Sequence, residues 1–167
     1  MALANDLLDQ AEHLAHLDER KPKQANLRRA TSSAYYALFH LLIREAIDRL
    51  GPRRPVGLDL RIGRVFTHGE MKQVCRSIMD RRPSQVLADL VPEGFSGDLE
   101  FVARCFVELQ EARHKADYDI AATQSRTEAL EFVRQVRDAF AAWTAVRMHD
   151  EANVFLAALL FAGRWAK

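Results

Sequence analysis

Ala34 to Ile43 reads AYYALFHLLI, an uninterrupted run that is apolar but for His40 and two tyrosine hydroxyls. It lies inside a longer stretch in which Leu27, Thr31, Ala34, Leu38, Leu41 and Leu42 recur at helical spacing. That stretch is expected to form one helix, with Pro22 in its first turn, running to Leu50 and ending at Gly51-Pro52. A helix that is apolar on every side must be covered on every side, by its own bundle or by a second subunit. The run is too short to span a bilayer, which takes roughly 20 residues. Val154–Ala162 is equally short. Both are expected to be buried helix segments, and no membrane span is expected.

The rest of the chain keeps the same period. A first helix is expected from Asp6 to Leu17, with Asn5 as its cap and Leu7, Ala11, Leu14 and Ala15 on one face. The segment from Pro52 to Thr67 carries two prolines and two glycines and reads as an irregular connection. A short helix from Gly69 to Met79 would turn Met71, Val74, Cys75 and Ile78 inward, and Pro83–Leu90 would add another turn or two. A long helix is expected from Asp98 to Ala116. Ser125-Arg126-Thr127-Glu128 has the capping-box form and opens another, with Ala129, Phe132, Val133, Val136, Phe140 and Trp143 at helical spacing up to Arg147. A final helix would cover Glu151–Gly163 and pack back on the bundle. No stretch alternates as a strand does. The expected fold is all-α, a single domain over residues 1–167 built as an antiparallel up-down bundle of four to five main helices plus short ones.

Hydrophobic residues make up 49% and charged residues 28% of the chain, far from a disordered composition. A formal net charge of +1 gives no global signature of nucleic-acid binding, so any such surface must be local. Residues 20–29 hold Arg20, Lys21, Lys23, Arg28 and Arg29 without an acid, and residues 53–82 hold eight basic residues against Asp59, Glu70 and Asp80. Such stretches are solvated faces or a side turned to a polyanion. Cys75 and Cys105 form no CxxC or His/Cys cluster and read as reduced, buried thiols. The N-terminal MALANDLLDQAEHL lacks the pattern of a signal peptide, and the expected location is cytoplasmic.

One position breaks the apolar pattern. Leu99, Val102, Phe106 and Leu109 form an inward stripe whose continuation lands on Arg113 and then Ala116. A guanidinium on a core-facing phase is costly unless it is paired or faces a cleft. Partners lie close in sequence: His114, Lys115, Asp117, Tyr118 and Asp119. Two readings stand side by side, an Arg113–Asp117 ion pair closing the helix end and a binding or catalytic cleft around Arg113.

Ser33-Ala34-Tyr35-Tyr36-Ala37-Leu38-Phe39-His40 resembles the SxAYYAxFH core of a HEPN second helix. Thr67-His68-Gly69 is similar to the TH(S)G stretch of that family's small bacterial branch, and Arg113 to Asp119 resembles its RxxADYD ending. The matches occur in the family's order and extend over about Arg28 to Val136. The resemblance implies a helical bundle that usually dimerises, often beside a minimal nucleotidyltransferase partner in toxin–antitoxin or defence operons. Many HEPN proteins are metal-independent ribonucleases, with an arginine followed after four to six residues by a histidine. There the arginine would hold the scissile phosphate and the histidine would move a proton, roles that suit a planar fork and a group titrating near neutral pH.

Here Tyr118 stands where that histidine is expected, and His114 points about 100° round the helix from Arg113. Tyrosine, with a reference pKa of about 10, is a poor base at neutral pH. Two functions therefore stay open. One is a non-catalytic dimeric module that binds a partner protein, nucleotide or RNA. The other is an endoribonuclease with Arg113 at the phosphate. Candidate catalytic residues are Arg113, His114 and Tyr118, and candidate nucleotide or nucleic-acid contacts are Arg113, Lys115, His68 and Asp117. Arg61 and His68 also meet the arginine–histidine spacing, but across a glycine-containing linker. His40 reads as a core or interface histidine. His13 and His16 sit three apart without further ligands, so neither a metal nor a cofactor is expected.

Overall fold

The computed structural model describes residues 2–80 and 84–165, and of residues 162 and 164 the backbone alone. The fold is all-α. The helices are α1 (Ala2–His16), α2 (Gln24–Asp48), α3 (Leu58–Gly63), α4 (His68–Met79), α5 (Gln85–Leu90), α6 (Gly97–Tyr118), α7 (Arg126–Val146) and α8 (Asp150–Trp165). Among the described residues there is no strand, and no helix is long and apolar enough to cross a membrane.

Several boundaries differ from expectation for local reasons. α1 begins at Ala2, so Asn5 lies inside the helix. Its buried face is Ala4, Leu8, Ala11 and Ala15, placing Leu8 rather than Leu7 inward. α2 starts two residues beyond Pro22 because the Asp18 carboxylate organises that entrance. It accepts the Lys23 backbone N–H at 3.0 Å and the Asn26 amide at 2.7 Å. α2 stops at Asp48, and Gly51 then takes φ +94°, a conformation that L side chains rarely adopt. The expected irregular connection contains α3, held by Asp59, which pairs with Arg54 at 2.6 Å and Arg44 at 3.5 Å. α4 starts at His68, capped by Thr67, whose Oγ1 accepts the Glu70 N–H at 3.2 Å. Ser84 caps α5, whereas Pro83 lies outside the described residues, as do Arg81 and Arg82 of the basic stretch. The α7 cap forms as its sequence predicts: the Ser125 N–H donates to Glu128 Oε2 at 2.7 Å and the Glu128 N–H to Ser125 Oγ at 3.1 Å.

Contacts divide the chain into two compact units. Unit 1 comprises residues 1–41 and 105–141. Its apolar interior includes Leu27, Leu38, Phe106 and Leu109, together with the Tyr35 ring, 5.5 Å from that of Phe106. Two arginines fasten helix ends within it. Arg126 donates to the carbonyls of Ala15, Asp18 and Glu19 at the end of α1, and Arg28 to those of Ala116 and Asp119 at the end of α6. Cations at helix C-termini satisfy carbonyls that the helix itself leaves open and complement its dipole. Part of the basic character of residues 20–29 is thus spent inside the fold.

Unit 2 comprises residues 42–104 and 142–167. Met71, Val74, Cys75 and Ile78 are all buried, the inward face expected of α4. Trp143 and Phe155 pack at 6.3 Å between ring centroids. Glu45, the one buried charge among its described residues, meets Arg147 at 3.0 Å.

Within the run 34–43, only Tyr36 and His40 are half-buried, and every other residue is buried. The chain covers this run by itself, so the run creates no demand for a second subunit.

Leu38 and Phe106 are both fully buried, and replacing either with alanine should cost about 2–5 kcal/mol. Lys23→Ala, at a side chain 75% exposed, should stay within about 0.5 kcal/mol. Urea midpoints of the three variants check this, and similar midpoints would contradict the packing. Ser125→Ala should cost about 1 kcal/mol at neutral pH. The Ser125 backbone N–H, then its hydroxyl, hold the Glu128 carboxyl below its ordinary range. A carboxyl lowered in the folded state adds stability above its unfolded pKa and loses it as pH falls through the folded value. The difference between wild type and variant should therefore shrink below about pH 4 in pH-resolved unfolding.

Candidate functional site

The end of α6 gathers its polar side chains by helical spacing. Arg113 and Asp117 form one i, i+4 pair, and His114 and Tyr118 form the neighbouring one. Arg113 follows the fully buried Leu99, Val102, Phe106 and Leu109, and its own side chain is 13% exposed. The guanidinium emerges from this stripe beside Tyr36 of α2. Its Nη2 donates to the Tyr36 hydroxyl at 2.9 Å, and its Nε lies 2.8 Å from Asp117 Oδ2. The Asp117 contact is an ion pair without hydrogen-bond alignment, since the Nε–H makes no directed bond. The other Asp117 oxygen, Oδ1, accepts the hydroxyl of buried Ser32 at 2.6 Å. Each charge of the pair is therefore held by a neutral hydroxyl from α2.

Two rings enclose the cation. The Arg113 Cζ lies 5.5 Å from the Tyr36 ring centroid and 5.6 Å from that of Tyr118. Both distances fall within the range of cation–π attraction. Burial opposes the charge on Arg113, but the oxygens of Tyr36, Asp117 and Tyr118 outweigh it and raise its pKa above the ordinary arginine value. The outer wall is open. Tyr118 is 65% exposed, and the exposed His114 ring packs on it at 5.0 Å. On α2, the half-buried His40 stands 6.3 Å from the Tyr36 ring, and desolvation lowers its pKa.

The candidates picked from the sequence are thus gathered in part. Arg113, His114, Asp117 and Tyr118 share one surface. Lys115 is exposed on the same turn and lines a cavity of about 130 Å³ with Arg28 and Glu128. His68 is the first residue of α4, in unit 2, and Arg61 is on α3 in the same unit. No group of three or more His, Cys, Asp or Glu side chains placed to hold one metal ion occurs among the described residues. Tyr36 and Ser32 join the site through contacts with α6 that the sequence does not announce. Tyr36 stands within a matching motif, but nothing in its neighbours points to a partner 77 positions away.

The cluster offers a fixed, desolvated cation, a phenol already accepting from it, and an exposed aromatic pair. That set suits an anion beside a flat ring, such as the phosphate and base of a nucleotide. It lacks a histidine one turn beyond the arginine, the proton carrier of a metal-free nuclease. No family model, curated protein or solved structure matches the chain.

Tyr36→Phe removes one hydrogen bond to a charge and should cost about 1.5–3 kcal/mol if no water replaces it. Asp117→Ala leaves the Arg113 charge without its carboxylate and should be at least as damaging. A doubly substituted protein closes the thermodynamic cycle. Strict additivity of the two changes would contradict a shared cluster.

Proposed function

We propose that this chain is a HEPN-like module that binds RNA or a nucleotide at the end of α6 without cutting it. The observation that carries this is Tyr118. It occupies the position of the expected histidine, covers the Arg113 guanidinium and presents most of its ring to solvent. Arg113 would meet a phosphate, with Nη1 making no hydrogen bond among the described residues. Tyr118 and His114 would offer ring faces to a base, and Lys115 would add charge at the rim. Asp117 works against the phosphate, so affinity would rest on stacking as well as on charge. The resemblance in the motifs at residues 33–40, 67–69 and 113–119 supports the family assignment. With it come a homodimer, a nucleotidyltransferase-type partner and a toxin–antitoxin or defence setting as parts of the same proposal.

The second reading, a metal-independent endoribonuclease, draws on His114, whose exposed ring lies within one residue of Arg113. Incubating the protein with total RNA in EDTA separates the two. The binding module leaves the RNA intact, whereas a nuclease cuts it and loses activity in Arg113→Ala. For the favoured reading, Arg113→Ala and Tyr118→Ala should each weaken binding of a single-stranded oligonucleotide while the far-UV spectrum persists. Tyr118→Ala should cost about 1–3 kcal/mol, the worth of one stacked base. A salt series should show affinity falling as salt rises, with a shallower slope for Arg113→Ala. Unchanged affinity in both variants would remove the proposal.

A further inference from the structure

Unit 2 has a half-open cavity of about 430 Å³ where α4, α5 and α8 face one another. This lies within the roughly 300–1,000 Å³ typical of small-molecule sites, which are mostly apolar with a few placed polar groups. Val74, Leu87 and Ala158 line it and are buried, while Val86 and the Trp165 indole line its more exposed part. One charged side chain faces into it, Glu70, and no basic residue is among its described lining.

Glu70 is an exposed residue, and the protein fixes its carboxylate on one side only. Its Oε2 accepts the Thr67 hydroxyl at 2.8 Å, while Oε1 makes no hydrogen bond among the described residues. Oε1 lies against α8 at Gly163, where an added Cβ would come within 3.2 Å of it. Glycine inside a helix costs about 1 kcal/mol relative to alanine. At Gly163 it leaves room for a carboxylate oxygen between α4 and α8. The result is a half-open cleft lined by apolar side chains, by polar ones such as Gln73 and Ser77, by an indole and by one exposed carboxylate.

We propose that this cavity is a binding site for a small arylalkylamine, a flat hydrocarbon ring carrying one alkylammonium group. The ring would replace water against Val74, Leu87 and Ala158, the ammonium would donate to Glu70 Oε1, and the indole would favour the cation. A carboxylate ligand would be repelled. This site is separate from the Arg113 cluster, which belongs to unit 1, and the two proposals stand or fall independently.

The probes are phenethylamine, its neutral analogue phenethyl alcohol, and the anion hydrocinnamate, each titrated calorimetrically into the full chain. The amine should bind about tenfold more tightly than the alcohol, as one charge-assisted hydrogen bond provides, and hydrocinnamate should not bind. Glu70→Gln keeps the capping-box geometry. It should abolish the tenfold preference while weak binding of the alcohol persists. Ser77→Phe, which fills the cavity from α4, should remove binding of both, with the fold checked by far-UV spectra. Absence of amine binding to the folded wild type would overturn the proposal. So would equal affinity for amine and alcohol, or a preference that survives Glu70→Gln.

Discussion

Arg113 stands on the core-facing line of α6, and a guanidinium there is tolerable only if its neighbours replace the water it loses. The replacement comes from α6 itself through Asp117 and from α2 through Tyr36, with Ser32 holding the carboxylate in turn. The demand spreads outward from that pair. Asp117 is on the last turn of α6, so its carboxylate is in place only if the helix runs on to Tyr118. Arg28 secures that last turn from α2 by bonding Ala116 and Asp119 carbonyls. The length of α6, two residues beyond the expected end at Ala116, is explained by these bonds. An ion pair between half-buried Arg113 and exposed Asp117 is weak evidence for net stability, because desolvation and solvent screening oppose the Coulomb gain. What it supplies is geometry: one orientation of the guanidinium between two rings.

Elsewhere the same economy recurs with different residues. Arg126 bonds three carbonyls at the end of α1, and the Gln24 side-chain amide bonds the Gln124 backbone twice, donating to its carbonyl at 2.9 Å and accepting its N–H at 2.8 Å. Inside unit 2, Glu45 relies on Arg147, whose own carbonyl accepts from Arg49. Apolar burial supplies most of the driving force, and these polar links decide which turns abut.

Much of this was legible in the sequence wherever a feature is local and periodic. The stripes of α2, α4 and α6 are buried as their spacing predicts, and Ser125–Glu128 forms the cap that its motif describes. Arg113 and Asp117 follow from phase alone. The misses have equally local causes. Leu7 and Leu8 are adjacent leucines, and only Ala4, outside the expected helix, tips the phase to Leu8. α3 buries no residue fully, so it leaves no periodic trace. Thr67 and Glu70 carry the spacing of a capping box and start α4 at His68, one residue before the expected Gly69. Tyr36 and Ser32 reach the site from α2, and no pattern in one sequence announces a contact so distant along the chain. The homodimer expected from the run 34–43 loses its physical motive once the chain is seen to cover that run. What remains for it is the resemblance.

The central claim is that Arg113 is a held cation placed to receive phosphate, rather than a strut closing a helix. The most direct measurement is the Arg113 Nε–H resonance in nitrogen-15 spectra of the free protein and during titration with a single-stranded RNA oligonucleotide. A held cation gives a resolved, slowly exchanging signal in the free protein, and that signal moves in proportion to RNA bound. A signal exchanging as fast as those of surface arginines would contradict the cluster. A resolved signal that stays fixed while RNA binds would leave the cluster intact and contradict its role.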